Sequence, residues 1–341
     1  MPSPVSVYFV TGSFPPDVCG VGDYTSNLAD CLRSNSKYLV ICYLRPNWSF
    51  FRLLRDISSS YPANSVFHLQ YPTEGFGYSL FPLLFFLFLR AKKVLTLHEF
   101  TSKSLLGKLY ILALCCTVDH VIVSSGSEKE ALNNSLCSLG IKKLFSIFPI
   151  PSNIPRYQDQ LSFENRAVEV GYFGQIRPGK GLEDFISLCT SFSPSNEYNF
   201  SIIGSVPDGY KEYSQQLLTS KVLNSIPKMQ IWLSESPDSV SRLLSNIKCL
   251  YLPFPDGFSL KRGSLLAGAI NGCQIITTYP TTLVDSKVLK CLHLVENKDQ
   301  ALDTIYNLVE GNLARKNTAP LAFNRTFERC AFLHYSLYAN L

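Results

Sequence analysis

Short apolar runs alternate with longer amphipathic ones along the chain, and the alternation runs through twice. In the first pass strands are expected at Val5–Val10, Leu39–Tyr43, Val66–Leu69, Lys93–Leu97, His120–Val123 and Leu144–Phe148, with helices at Gly22–Arg33, Ser104–Cys116 and Ser127–Asn133 between them. Three prolines in seven residues, Pro149-Ile-Pro-Ser-Asn-Ile-Pro155, and a polar stretch to Arg166 then break the pattern. It restarts with strands at Val168–Phe173, Phe200–Ile203, Gln230–Leu233, Cys249–Leu252 and Gln274–Thr277. The second set of helices falls at Gly181–Thr190, Tyr210–Leu218, Pro237–Asn246, Gly263–Asn271 and Lys298–Val309. A last amphipathic stretch, Leu321–Leu337, closes the chain. Strand–helix–strand repeats of this kind build parallel sheets with helices on both faces. The expected class is α/β: two doubly wound, Rossmann-like domains at 1–150 and 167–320, a hinge linker at 151–166 and a closing helix at 321–341. Doubly wound sheets bind ligands at the carboxyl ends of their strands, so a cleft between the domains is the expected site.

Composition narrows the partners. Charged residues make up 17% of the 341 and apolar ones 46%, against a usual charged share of about 25%; disorder is excluded. The 31 Lys and Arg exceed the 26 Asp and Glu, for a formal charge of +5. That suits an anionic substrate or an anionic membrane surface and is too weak for a nucleic-acid binder. The 11 cysteines contain no C-x-x-C pair, so neither a zinc site nor a disulfide framework is signalled, and they read as reduced thiols of a cytoplasmic protein. The sequons at Asn47, Asn133 and Asn324 are then chance matches. Met1–Pro4 carries no basic leader. The most apolar run, Leu80–Leu89, is ten residues, where a membrane span needs about 20. It reads first as a helix buried against a sheet. With Arg90, Lys92 and Lys93 directly after it, the alternative is a membrane-facing helix with a basic collar.

Three glycine clusters follow strands and open helices. The first runs from Gly12 through Pro15, Pro16, Gly20 and Gly22 to Thr25; small residues there let backbone N–H groups approach an anion. It is not a dinucleotide fingerprint: Thr25 holds the third glycine position, the loop is too long for a tight turn, and Arg45, not an acid, follows the second strand. The second cluster, Gly174-Gln-Ile-Arg177-Pro-Gly179-Lys180-Gly181, has the front of a Walker A loop but lacks its Ser or Thr. An NTPase is rejected, yet Arg177 and Lys180 together can neutralise a diphosphate without metal. The third runs from Pro253 through Asp256, Gly257, Phe258, Ser259, Lys261 and Arg262 to Ser264. A carboxylate beside a glycine at a strand–helix junction can accept sugar hydroxyls, and it can equally be an ordinary N-cap. His98 and His68 are expected at strand ends facing the crevice, with a structural role equally open for His68.

Together these segments resemble the GT-B glycosyltransferases of family 4, over nearly the whole chain. The resemblance rests on the early proline–glycine loop, the strand-end histidine, the proline hinge, FGQIRPGKG and PFPDGFS…GSLLAGAINGCQIITT. It implies a GT-B fold whose final helix crosses back to the first domain. It implies that Gly20 and Gly22 face the donor phosphate, that His98 lies near the transferred sugar, and that Lys180 grips the diphosphate. The family often has arginine where Gln175 stands, with Arg177 as the substitute. Asp256 falls on the first glutamate of the family's acidic pair and would contact the sugar with the Gly257-Phe258-Ser259 run. Ser264 falls on the second, the ribose-holding glutamate, and a serine cannot grip a diol as a carboxylate does.

The resemblance implies a retaining, metal-independent enzyme that needs no cofactor. Its partners would be a nucleotide sugar and a saccharide or lipid-linked saccharide acceptor, in surface polysaccharide synthesis; the mild basicity and the Leu80–Lys93 segment suit work at the inner membrane face. No D-x-D triplet of the metal-dependent GT-A type occurs. A sugar-nucleotide epimerase of the same fold, or an inactive carbohydrate- or nucleotide-binding module, are the alternatives.

Overall fold

The computed structural model describes residues 5–17, 19–34, 38–44, 49–77, 79–192, 197–207, 209–281, 284–323 and 325–341. Arg45, Asn47 and Asn324 lie outside them. The chain forms two compact units: one from the chain up to Pro151 together with Phe327–Leu341, the other Ser152–Thr326.

The first unit contains β1 (Val5–Thr11), α1 (Gly20–Arg33), β2 (Tyr38–Leu44), α2 (Phe50–Ser58), β3 (Ser65–Tyr71), α3 (Phe81–Phe88), β4 (Lys92–Leu97), α4 (Leu105–Thr117), β5 (His120–Val123), α5 (Gly126–Cys137) and β6 (Leu144–Ile147). Its six strands form one parallel sheet in the order β2-β1-β3-β4-β5-β6. The central strands are apolar runs because both faces are covered; β3 buries every residue from Ser65 to Gln70. One face carries α2–α5, which pack Leu53, Phe85, Ile111 and Leu132 onto Phe67, Leu69 and Leu95. α1 covers the other, through Tyr24, Leu28 and Leu32 on Phe9 and Val66. α3 sends Phe85 and Phe86 into the core but leaves Leu87 and Phe88 exposed, so the apolar decad is only partly a core helix. The Asn133 sequon lies within α5.

The second unit contains β7 (Val168–Gln175), α6 (Leu182–Cys189), β8 (Phe200–Ser205), α7 (Lys211–Leu218), α8 (Lys221–Asn224), β9 (Met229–Leu233), α9 (Pro237–Ser245), β10 (Ile247–Leu252), α10 (Gly263–Ile270), β11 (Gln274–Thr278), α11 (Ser286–Leu289), β12 (His293–Val295), α12 (Lys298–Val309) and α13 (Ala319–Phe323). Its parallel sheet runs β12-β11-β10-β7-β8-β9. Both orders are doubly wound, with strand order reversing between β1 and β3 in the first sheet and between β7 and β10 in the second.

Residues 152–166, read as a linker, count with the second unit. Buried Arg166 donates to the Ile247 and Asn271 carbonyls at 2.7 and 3.1 Å, and Tyr157 N donates to Asn271 Oδ1 at 2.9 Å. The closing stretch read as one helix is two. After α13 in the second unit, α14 (Phe327–Ala339) belongs to the first, where Cys330, Ala331 and Tyr338 join the core beneath α1.

Candidate functional site

In the second unit two loops leave adjacent strands at the point where strand order reverses. The β7–α6 loop ends at Gly181, in the left-handed region at φ 80°, where a β-carbon would collide with the Pro253 carbonyl of the β10–α10 loop. Only a glycine lets the two backbones come this close. Tyr172, buried beneath, donates its hydroxyl to the Lys180 carbonyl at 3.0 Å. Gly257, at φ 75°, lies against the β11 exit, a β-carbon there falling 2.5 Å from Tyr279 O.

These approaches gather charge. Lys180 is half-buried, and its ammonium pKa is lowered first by burial and then by the cations of Arg177 and Arg262, with Asp256 opposing. Arg177 donates from Nε to Gln175 Oε1 at 3.1 Å. Arg262 forms an ion pair with Asp256 and lies over the Phe254 ring, 4.6 Å from its centroid. Arg177, Lys180, Arg262 and Asp256 therefore meet at the mouth of this sheet, where the first turn of α6 also carries Glu183 and Asp184. The helices that open there, α6 and α10, are each eight residues and have no side-chain N-cap. By contrast Ser49, Ser104, Ser125, Ser236 and Asn297 cap α2, α4, α5, α9 and α12. An uncapped N-terminus leaves backbone N–H groups to an incoming anion. α1, which follows the first glycine cluster, is likewise uncapped, as are α3 and α7.

Of the residues expected in the third cluster, Asp256 is exposed, Ser259 and Ser264 are half-buried, and Gly257 is buried. Phe258 is 1% exposed and belongs to the core, so what it offers a ligand is its backbone. Arg262 was not among the expected site residues. Its one sequence signal is a second base, next to Lys261, directly before the α10 glycine.

In the first unit the β1 and β3 exits meet. Gly12 N donates to Thr73 Oγ1 at 3.0 Å and Gly75 N to Ser13 Oγ at 2.9 Å. Gly22 packs under this knot, a β-carbon there lying 3.0 Å from Ser13 O, whereas Gly20 opens α1 with nothing within 4 Å of such an atom. Thr73 and Gly75 were missed by the sequence reading, though both stand in the Pro72-Thr-Glu-Gly-Phe segment after the β3 run. His98 directly follows β4. Its Nε2–H donates to Gln70 Oε1 at 3.0 Å, and its ring meets Tyr24 edge-on at 4.9 Å.

His68 is a correction. It is not at a strand end but in the middle of β3, paired with Phe9 and Val94 and fully buried. Its ring nitrogens bond Tyr338 Oη and Thr96 Oγ1, each at 2.6 Å. Burial, then His334 and the other nearby histidines, hold its pKa well below the usual range. It ties α14 to the sheet.

No family model and no curated protein sequence matches the chain. Solved structures share its fold. The structure of Anabaena Alr3699/HepE in complex with UDP superposes with a TM-score of 0.68 at 13% identity, covering 98% of this chain and 100% of that one. The apo lipopolysaccharide outer core galactosyltransferase WaaB gives 0.58 at 13%, covering 98% and 100%. The pneumococcal O-GlcNAc transferase GtfA, in complex with UDP and GlcNAc, gives 0.60 at 13%, over 85% of this chain but only 59% of its own. This chain therefore spans less than two thirds of GtfA. The two Rossmann-like units are those of the GT-B fold, which these structures share.

Proposed function

We propose that the chain is a retaining glycosyltransferase. In this reading it moves a sugar from a nucleotide-diphosphate donor to a saccharide or lipid-linked saccharide acceptor, without a metal ion or other cofactor, in surface polysaccharide synthesis. One observation carries the reading. Arg177, Lys180 and Arg262 gather where two uncapped helices open at the strand-order reversal of the second sheet. HepE and GtfA, which share the fold, are described with UDP, and WaaB as a galactosyltransferase.

The chemistry follows from charge. As the bond between sugar and β-phosphate breaks, negative charge grows on the departing phosphate. Fixed cations and N–H dipoles in a partly desolvated site stabilise that charge more than they stabilise the intact donor. Arg177, Lys180 and Arg262 are assigned this role, with Gly20 and Gly22 as further donor-phosphate contacts. Asp256, with Arg262 on Oδ1, takes sugar hydroxyls on its other oxygen, beside the backbone of Gly257, Phe258 and Ser259. Ser264, in the first turn of α10, is assigned to the nucleotide, and His98 to the sugar. The acceptor hydroxyl attacks the face the phosphate leaves, and its proton passes to a phosphate oxygen. That route needs no carboxylate base.

Incubation with UDP-, GDP-, ADP- and dTDP-sugars and saccharide acceptors tests the reading. Acceptor-dependent release of nucleoside diphosphate is expected. An epimerised donor, or binding without turnover, would replace the reading by one of its two alternatives. Lys180→Ala should slow turnover or weaken donor binding at least tenfold, about 1.4 kcal/mol; an unchanged rate removes Lys180 from the site.

A further inference from the structure

The core accounts for only one face of the helices α2, α3 and α4. α2 buries Leu53 but holds Phe50 and Phe51 61% and 81% exposed. α3 buries Phe85 and Phe86 but exposes Leu87 and Phe88. α4 buries Ile111 and Leu114 but holds Leu105 and Leu106 74% and 78% exposed. The three lie side by side, α3 touching both neighbours, so the exposed apolar side chains fall on three adjacent helices of one sheet face. Folded domains seldom leave such a set bare without a partner for it.

The charge of this segment is predominantly positive. Residues 49–117 hold seven Lys and Arg against three Asp and Glu, a net +4 of the chain's +5. Of the acids, Asp56 is buried beside Arg55 and Glu99 pairs with Lys103 at 3.0 Å. Arg52, Arg55, Arg90 and Lys92 are exposed. A second copy of the chain would set this cationic rim against itself, whereas a phosphate-bearing surface neutralises it. Among the described residues no helix is long and apolar enough to cross a membrane, so the contact is interfacial.

We propose that the outer face of α2, α3 and α4 docks on an anionic lipid bilayer. Phe50, Phe51, Leu87, Phe88, Leu105 and Leu106 enter the headgroup–acyl boundary, and Arg52, Arg55, Arg90 and Lys92 meet lipid phosphates. Each cation held near an anionic leaflet strengthens binding by roughly fivefold. The sequence reading placed such a contact at Leu80–Lys93 alone; α2 and α4 carry the more exposed side chains. The proposal is independent of glycosyl transfer, because lipid binding is measured without donor or acceptor.

The test is cosedimentation of the full chain with phosphatidylcholine vesicles, with and without phosphatidylglycerol. Binding is expected with the anionic vesicles only, and to fall as salt is raised. Leu105→Ser with Leu106→Ser should weaken it at least about tenfold, and Arg52→Glu with Arg90→Glu should do the same. These positions are exposed, and circular dichroism checks that the variants fold. Hydrogen exchange on the unaltered chain needs no variant: anionic vesicles should protect the amides of α2 and of the first turn of α4. Absence of sedimentation, equal binding to neutral vesicles, undiminished binding by both double variants, or no added protection would overturn the proposal. So would a solution dimer that the leucine substitutions split.

Discussion

Gly181 and the Pro253 carbonyl pack so closely that no β-carbon fits between them. That single approach joins the β7–α6 loop to the β10–α10 loop and sets Lys180 in the field of Arg262 and Asp256. Gly179, two residues earlier, shares the left-handed backbone, φ 75° against 80°, but has nothing within 4 Å of a built β-carbon.

The two glycines separate strain from fit. Gly179→Ala should cost about 1–2 kcal/mol, the ordinary penalty of a left-handed alanine, and leave donor binding nearly unchanged. Gly181→Ala adds displacement of the Pro253 loop. It should cost roughly 3 kcal/mol or more and weaken donor binding at least tenfold. Urea unfolding and donor titration on both variants measure this, and equal effects would show that the loop contact does not organise the site.

Lys180 gives a proton-linked prediction. Its pKa is lowered, by burial first and then by neighbouring cations, so it loses charge at a lower pH than an ordinary lysine. In the alkaline range the unfolded chain then holds more protons than the folded one, and this residue's contribution to stability grows as pH rises. A bound diphosphate reverses the shift. Donor binding at alkaline pH should therefore take up a proton, seen as a dependence of calorimetric binding heat on the ionisation enthalpy of the buffer. Lys180→Arg, which keeps its charge throughout, should lose that dependence. Donor binding without proton uptake would mean that Lys180 stays away from the phosphates.

Most of the two sheets is legible in the sequence because strands buried on both faces are bare apolar runs, as in Val66–Leu69 within β3. What escapes is what burial does not mark. α2 reads Phe-Phe-Arg-Leu-Leu-Arg-Asp-Ile-Ser and turns only Leu53 and Ile57 of its apolar residues to the core, with Phe50, Phe51 and Leu54 exposed, so its apolar residues overrun the core face. β12 is three residues long, too short for a period. His68 and His98 each border an apolar run and look alike in sequence; only register shows one inside β3 and the other past the end of β4. Among the site residues, glycines and cations are readable from strand–turn–helix context. Arg262 is not, because its place depends on Phe254 and Asp256 folding back to meet it.

His98 is held from two sides, by Gln70 Oε1 at 3.0 Å and by the Tyr24 ring at 4.9 Å. The Gln70 bond, with the Tyr24 contact, fixes the plane of the ring. Gln70→Leu removes the bond that orients the ring. It should lower kcat about tenfold while the KM for donor stays within about twofold, since orientation governs the reacting geometry more than ground-state affinity. His98→Ala should lower kcat further. Steady-state kinetics on protein corrected for its folded fraction is the measurement; a kcat untouched by Gln70→Leu would show that Gln70 does not position His98.

Acid should loosen the first unit through its buried histidines. His334 on α14 donates from Nδ1 to the Cys330 carbonyl at 2.8 Å, and among the described residues its buried Nε2 has no partner. Burial lowers its pKa to about 4, against about 6.5 in an unfolded chain. Between those values the unfolded state binds a proton that the folded state refuses, so stability is full above pH 6.5 and falls as pH drops toward 4. The loss assigned to His334 is on the order of 3 kcal/mol, and His68, lowered by the same burial, acts in the same direction. Urea unfolding across this range should show the decline, and His334→Leu should make it shallower while leaving the neutral-pH value less changed. A slope identical in the two proteins would place the acid sensitivity elsewhere.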